Sequence, residues 1–463
     1  MRPESPDLGP LAAPPFAQLR PRHPVHYHFS GIAGAGMNPL AQLMRARGHQ
    51  VRGSDRSLDQ GRNQEVAARL RRLGIELCPH DGSAIDRNID RFVYSTAVEA
   101  DTPEMRAARV MGIDIVPRPA LLAEVVKGGQ PGVAIAGTSG KSTITAMLGW
   151  LLRESGRPAT VIGGAGLAHE GNNGCLVTGP AAGAAVVEAC ESDGTLVGYA
   201  PTIGLVHNIS RDHAELPSLR LQFGAFARNC NRLMVNGGCA EAAALGRRFH
   251  GVSYGVASEA DAGLEVIGVG PDRARGILRL PAGVVMLDIP QPGRHNLENA
   301  AAASMVAVEL GLDPEEVTRR LALFPGVFRR FEVIGVTPSG IRVVDDYAHN
   351  GEKLRAALTT AQASPGRVVA VFQPHGFGPA RFLRPELRTL LPEILRPGDR
   401  FCYAEIFYAG GTVAKDISSR ALAADLPATL RCGHAADHDA ARRWVVAEAR
   451  SGDTVLVMGA RDP

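Results

Sequence analysis

The chain has 463 residues with 50 Lys and Arg against 47 Asp and Glu. The resulting net charge of +3 is spread among interspersed acids and bases, so no nucleic-acid footprint is offered. No apolar run approaches the roughly 18 residues that a membrane span needs, and a chain of this length is expected to divide into about two to four domains. The 7 cysteines, Cys78, Cys175, Cys190, Cys230, Cys239, Cys402 and Cys432, form no C-x-x-C pair, so neither a zinc knuckle nor a redox motif is present. A cytoplasmic protein with reduced thiols is the expectation.

Residues 1–24 are rich in proline and lack a hydrophobic h-region, which predicts a disordered extension and not a signal peptide. From Val25 the sequence reads as a strand through Ser30 and a glycine turn, Gly31-Ile32-Ala33-Gly34-Ala35-Gly36-Met37. A helix to Arg47 and a second strand, Gln50 to Ser54, ending at Asp55, complete a β-α-β opening. Glycines at such a first turn let backbone approach a diphosphate. Their order is G-x-x-G-x-G, which differs from the dinucleotide fingerprint and also suits a tight turn packed for structural reasons. Alternation of strands and helices continues through Arg91–Ser95 and Ile113–Val116. Punctuation around Arg118-Pro119 and Lys127 to Gly132 marks a boundary, giving a first domain at 25–127.

The second domain, 128–331, opens on Val133-Ala134-Ile135-Ala136-Gly137-Thr138-Ser139-Gly140-Lys141-Ser142-Thr143. Four small apolar residues predict a buried strand, and Thr143 to Leu152 has the composition of a helix. A glycine turn between them aims backbone N–H groups and the positive end of the helix dipole at anionic oxygens. The Lys141 ammonium and the Ser142 hydroxyl, which can ligate Mg²⁺, complete a site for the phosphates of a nucleoside triphosphate. Ile135 stands where the longer phosphate-loop pattern has a glycine. The chain holds only four lysines, Lys127, Lys141, Lys353 and Lys415, so one kept inside this turn is unlike compositional drift. Because it sits at a turn, its replacement by alanine is expected to leave the fold largely intact.

Two further strands, Ala184 to Glu188 and Ile203 to Val206, point their carboxyl ends at the same edge. Glu188 and His213 are candidate Mg²⁺ ligands beside Ser142, with Asp212 holding the His213 ring. Val252 to Asp288 predicts short peripheral strands. Gly293-Arg294-His295-Asn296 begins an alanine-rich helix, for which Asn296 is the expected N-cap. The third domain, 332–463, again alternates strand and helix. Its paired aspartates Asp345-Asp346 suit a ribose, a metal-bound water or an amine, or else an Asx turn.

Taken together, the blocks Gly31–Met37, Gly53-Ser54-Asp55, Gly137–Thr143, Glu188-Ala189-Cys190-Glu191-Ser192-Asp193, Asp212-His213 and Gly293–Asn296 with Asn299 resemble the Mur ligases of peptidoglycan synthesis. So do Arg329-Arg330-Phe331-Glu332, Asp345-Asp346-Tyr347-Ala348-His349 and Gln373-Pro374-His375, and the alanine-adding branch is the most similar. The resemblance implies an α/β, three-domain architecture: a Rossmann-like N-terminal domain, a central P-loop ATPase domain and a Rossmann-like C-terminal domain. It implies ATP-dependent joining of UDP-N-acetylmuramate to a small amino acid through an acyl phosphate, with ADP and phosphate released. By the same resemblance Gly34, Gly36, Met37 and Asp55 hold the UDP-sugar, Lys141 holds the β/γ-phosphates, and Ser142 and Glu188 bind one Mg²⁺. His213 binds a second, His295 and Asn296 contact adenine, and Arg330, Asp346 and His349 contact ribose and γ-phosphate.

Cys190 replaces the family's usual aspartate, Asn350-Gly351 follows His349, and Gly376 follows His375 where the alanine-adding branch has arginine. These changes bear on the acceptor, so a ligase that attaches a whole murein tripeptide, or one using another acid, is the alternative within the family. From other classes, a P-loop kinase or a non-catalytic nucleotide-binding paralogue shares the phosphate loop. Several Mur branches use a carbamoylated lysine at the second metal. Between Ser142 and Glu352 this chain has no lysine, so Glu191, Asp193, Asp212 or the substrate is expected to supply that charge.

Overall fold

The computed structural model describes residues 23–95, 101–168, 170–171, 173–191, 194–211, 215–256, 259–408 and 414–460. The expected extension therefore lies, but for its last two residues, outside the described residues, as do Asp193, Asp212 and His213. The described chain folds around three sheets. The first contains β1 (His26–Ser30), β2 (Gln50–Ser54), β3 (Glu76–Cys78), β4 (Arg91–Tyr94) and β5 (Asp114–Pro117) in the order β3-β2-β1-β4-β5. Every neighbouring pair is parallel. The chain leaves β1 in opposite directions on its two sides, which opens a crevice at the carboxyl end of β1 where the glycine turn sits.

The central sheet takes β6 (Gly132–Ala136), β7 (Ala159–Ile162), β8 (Cys175–Val177), β9 (Ala184–Glu188), β10 (Ile203–Val206), β11 (Arg232–Asn236), β12 (Val252–Gly255), β13 (Ala262–Val269), β14 (Ala274–Leu280) and β15 (Gly283–Ile289). Their order is β15-β14-β13-β12-β11-β10-β6-β9-β7-β8. β6, buried at every position, lies between β9 and β10, both parallel to it, as its continuous apolar run requires. β13, β14 and β15 are less peripheral than their composition suggests: they run for 8, 7 and 7 residues and extend the main sheet by two antiparallel pairings. Their alternation explains it. Val285, Leu287 and Ile289 turn inward while Val284 and Met286 face out.

The third sheet contains β16 (Glu332–Val336), β17 (Arg342–Asp346), β18 (Val368–Gln373), β19 (Arg400–Ala404), β20 (Cys432–Ala435) and β21 (Thr454–Gly459). The order is β16-β17-β21-β18-β19-β20, parallel except for the edge strand β16.

One apolar cluster runs from Phe29 and Leu40 through Leu122 and Val126 to Ala136, Val187 and Phe223, so the first sheet and one face of the central sheet share a core. The other central face is filled by the helices Lys141–Glu154 and Arg294–Glu309. Their close approach rests on Ala300, Ala301, Ala302 and Ala303, each 0% exposed. The helix begins differently from the expectation: its N-cap is Gly293, and Asn296 lies within the first turn, its Nδ2 donating to Pro292 O at 2.7 Å. Since those alanines leave no room for a longer side chain, Ala302→Leu should cost about 1–3 kcal/mol of stability. A urea midpoint equal to that of the parent chain would show that the two helices have slack.

Candidate active site

The phosphate loop leaves the carboxyl end of β6 and enters helix Lys141–Glu154 through Gly140, at φ +81°. A Cβ there would lie 2.5 Å from Asn299 Oδ1 and 2.9 Å from His207 Cδ2, so only glycine fits. Asn208, just past β10, shapes the loop from the other side. Its carbonyl accepts from Thr138 N at 3.1 Å and its Oδ1 from Ser139 N at 2.8 Å. His207 Nδ1 is 2.7 Å from Tyr254 OH, and burial takes its pKa down to about 4, so the floor of the loop is neutral.

Lys141 is only 8% exposed, and its Nζ donates to Glu191 Oε2 at 2.8 Å and to Gly137 O at 2.5 Å. Burial alone would lower its pKa. The Glu191 carboxylate outweighs that effect and holds the ammonium charged. Lys141 is thus a core residue with a fixed partner, contrary to the expectation of a lysine standing free on a turn. Glu191, 3% exposed, is committed to that pair and is not a spare metal carboxylate.

Ser142 Oγ donates to Glu188 Oε1 at 3.1 Å, while Glu188 Oε2 accepts from Gly164 N at 2.7 Å. A hydroxyl and a carboxylate are hard oxygen donors of the kind Mg²⁺ takes alongside phosphate oxygens and water. Among the described residues no group of three or more His, Cys, Asp and Glu is assembled as a cation cage. The buried Ser139 Oγ and Asn299 Oδ1 have no hydrogen-bond partner among the described residues. Two orphaned polar atoms against a phosphate loop suit a polar ligand. Asn296, by contrast, spends its Oδ1 on Asn299 Nδ2 at 3.2 Å and is 5% exposed, while the neighbouring His295 is exposed.

The third domain reaches this loop through Glu352, whose Oε2 accepts from Ser210 Oγ at 2.7 Å, and Ser210 Oγ is 2.8 Å from Thr138 Oγ1. Close by in sequence, Arg329 and Phe331 both adopt positive φ, at 55° and 50°. Such conformations cost of order 1–3 kcal/mol each for non-glycine residues and persist where the surroundings enforce them. Here Phe331 N donates to Asp346 Oδ2 at 2.7 Å, Arg329 N donates to Glu332 Oε2 at 2.8 Å, and Tyr347 N donates to Arg329 O at 2.7 Å. The strained turn sets the Arg330 guanidinium 4.6 Å from the centre of the Tyr347 ring. Asp346 also accepts from Ala348 N at 2.7 Å, making an Asx turn. Burial pushes its carboxyl up to about 6, against Arg330 and its two backbone donors. The His349 ring lies 5.4 Å from Tyr347 and 5.3 Å from His375, and its Nε2 is 3.5 Å from Lys353 Nζ. Arg330, Asp346 and His349 are therefore gathered around Tyr347 and the Arg329–Phe331 turn.

In the first domain, the amides of Gly31 and Ile32 donate to Ser54 O at 2.8 and 3.0 Å, and Ala33 N donates to Asp55 Oδ2 at 3.0 Å. Asp55 thus braces the turn and also caps the next short helix through Ser57 N at 2.8 Å. The Ala35 and Gly36 amides find no acceptor among the described residues. They lie at the positive end of helix Met37–Ala46, whose N-cap is Gly36. Arg118 closes the other side: a Cβ on Gly36 would sit 3.2 Å from its Cδ and Nη1. In the sequence Arg118 reads only as punctuation, and neither Asn208 nor Glu352 stands in a recognisable motif. The Asn at a strand end beside a phosphate loop was the one signal available.

Removing the Lys141 ammonium strands a buried carboxylate. Lys141→Ala should therefore lower the urea stability of the central domain by about 3–5 kcal/mol, and Lys141→Ala with Glu191→Ala should regain part of it. A single variant as stable as the parent would mean that Glu191 reaches water.

Sequence models of the Mur ligase family match this chain in three stretches. They are the Mur ligase family catalytic domain over residues 26–130, the Mur ligase middle domain over 135–307, and the Mur ligase glutamate ligase domain over 329–461. The UDP-N-acetylmuramate–L-alanine ligase of Caulobacter vibrioides is 36% identical, covering 96% of each chain. That of Stenotrophomonas maltophilia is 34% identical over 94% of this chain and 92% of its own. Among solved structures, the UDP-N-acetylmuramate-alanine ligase of Thermotoga maritima superimposes with a TM-score of 0.77 at 25% identity, covering 94% of this chain and 96% of that one. A murein peptide ligase from Psychrobacter arcticus shares the fold with a TM-score of 0.67 at 21% identity, covering 94% and 96%. Matched across all three sheets and over nearly its whole length, this chain belongs to the Mur ligase family.

Proposed function

We propose that the protein is an ATP-dependent, ADP-forming ligase that joins the carboxylate of UDP-N-acetylmuramate to L-alanine in peptidoglycan synthesis. The observation that carries this reading is the 36% identity to an alanine-adding ligase across 96% of both chains, in a protein whose phosphate loop keeps its lysine and its Ser142–Glu188 pair. The UDP-sugar occupies the first domain, 25–127, with its diphosphate at the Gly34–Met37 turn facing Arg118. ATP lies on the loop of the second domain, 128–331. The third domain, 332–463, brings the amino acid, with Arg330, Asp346 and His349 turned toward the nucleotide. With ATP and a UDP-sugar as its substrates on this reading, we place the reaction in the cytoplasm; among the described residues no helix is long and apolar enough to cross a membrane.

Positioning carries most of this chemistry, because phosphoryl transfer asks for little covalent help. The Lys141 ammonium, kept charged by Glu191, offsets negative charge as the γ-phosphoryl moves to the muramoyl carboxylate. Mg²⁺, held by Ser142 and Glu188, with His213 as the ligand of a second ion, would neutralise phosphate charge. The acceptor amine then attacks the acyl phosphate, forming the amide bond while phosphate leaves. The Ser210–Glu352 bond joins the third domain to Thr138, so the groups facing the acceptor and the phosphate loop are held together.

ADP release with UDP-N-acetylmuramate and single amino acids tests the reading. L-alanine should support turnover, with glycine and serine within about 10- to 200-fold, since a methyl or hydroxyl is worth only ~1–3 kcal/mol in a pocket. Turnover with a murein tripeptide alone would establish the recycling ligase in its place.

The lack of lysine between Ser142 and Glu352 leaves the central domain nothing to carbamoylate beyond Lys141, which is taken by Glu191. Activity in degassed and bicarbonate-supplemented buffers should therefore be equal. A gain of more than about tenfold with bicarbonate, corresponding to ~1.4 kcal/mol, would overturn the assigned metal site.

A further inference from the structure

Beneath the glycine turn of the first domain lies a buried polar cluster that neither the phosphate chemistry nor the acceptor chemistry uses. At its centre is Glu104, in the first turn of helix Pro103–Met111 and 0% exposed. Its Oε1 accepts from His28 Nε2 at 3.1 Å and from Ser54 Oγ at 2.5 Å. Its Oε2 accepts from Ser30 Oγ at 2.5 Å and from His80 Nδ1 at 2.9 Å. Four donors saturate one carboxylate. They come from β1, β2 and the segment after β3, so a single side chain gathers elements that are distant in sequence. An ionised carboxyl this deep is costly unless it is fully paired. Burial pushes Glu104 up, but the His28 and His80 bonds outweigh it and keep the group ionised, while the same contact raises His80. His28 is itself fully buried, and its Nδ1 has no partner among the described residues. A ring nitrogen left unpaired in the core indicates that the Nε2–Glu104 bond, and not the satisfaction of His28, is what the site maintains.

Two of the four donors occupy informative positions. Ser30 immediately precedes Gly31, the first residue of the turn. Ser54 O accepts both the Gly31 and the Ile32 amides. The next residue, Asp55, takes the Ala33 amide. Ser30 and Ser54 are the last register partners of the β1–β2 ladder, so the placement of these paired ends sets where the turn lies, and Glu104 braces them through the two serine hydroxyls.

Resting on the reading of this domain as the nucleotide-sugar site, we propose that Glu104 is a positioning residue for that substrate. Its carboxylate ties the ends of β1 and β2 together and so sets the geometry at which the free Ala35 and Gly36 amides meet a diphosphate. It touches no substrate atom. Replacing it by glutamine keeps the size but removes the charge and turns one of the two acceptor oxygens into an N–H₂ donor, so two of the four donors must reorient or lose their acceptor and the tie is weakened.

The test separates the two nucleotides. Titrating UDP and ATP independently into the full-length protein, Glu104→Gln should weaken UDP binding and raise the KM for UDP-N-acetylmuramate by about tenfold or more. ATP affinity, read on the central sheet of the same molecule, should stay within about twofold, a split that general destabilisation would not produce. If Glu104→Gln loses ATP affinity too, Ser54→Ala decides on the same readout, since it keeps the carboxylate and its three other donors. Parent-like UDP affinity in the variant that retains ATP binding would overturn the proposal. Failure of the parent protein to bind either UDP or UDP-N-acetylmuramate would instead overturn the nucleotide-sugar reading on which it stands.

Discussion

The buried pair between Lys141 and Glu191 is the constraint on which the site depends. An ammonium at 8% exposure would ordinarily be driven toward its neutral form. A carboxylate 2.8 Å away keeps it charged at the first position of a 14-residue helix whose dipole is already positive there. The two groups come from adjacent parallel strands, one from the loop after β6 and the other from the segment beyond its neighbour β9. The pair therefore requires the strand order of the central sheet, and the phosphate loop is only as well placed as that order allows.

The same logic recurs in the first domain with different chemistry. There a carboxylate with four donors takes the place of an ion pair in fixing a glycine turn, and the backbone amides left over face outward at a helix start. In both domains a buried carboxylate stands behind the glycine turn, Glu191 in the central domain and Glu104 in the first.

The third domain is coupled to the loop by polar contacts. Ser210 bonds both Thr138 and Glu352, and Arg211 lies 5.2 Å from the centre of the Phe382 ring. Contacts of this kind are weaker per unit area than the apolar cluster that joins the first sheet to the central one. The strained turn from Arg329 to Phe331 stands at the start of this domain and presents Arg330 on Tyr347.

Much of this was legible in the residues themselves. A run such as Val133–Ala136 followed by Gly137–Thr143 specifies strand, turn and helix locally, because periodicity and glycine conformation act over a few neighbours. The composition of Val252 to Asp288 likewise predicted strands, though their role as an extension of the main sheet came only with the strand pairing. What local pattern could not settle was how each polar side chain is used. Asn296 has the composition of an N-cap, yet Gly293 takes that position and the amide turns back to Pro292. Lys141 looks exposed on a turn, yet Glu191, 50 residues later, shares its burial. Glu104 and Arg118 carried no motif at all. Hydrogen bonds and ion pairs are satisfied by whatever the fold brings within about 3 Å, and at separations such as the 74 residues from Ser30 to Glu104 only the tertiary structure decides which groups those are.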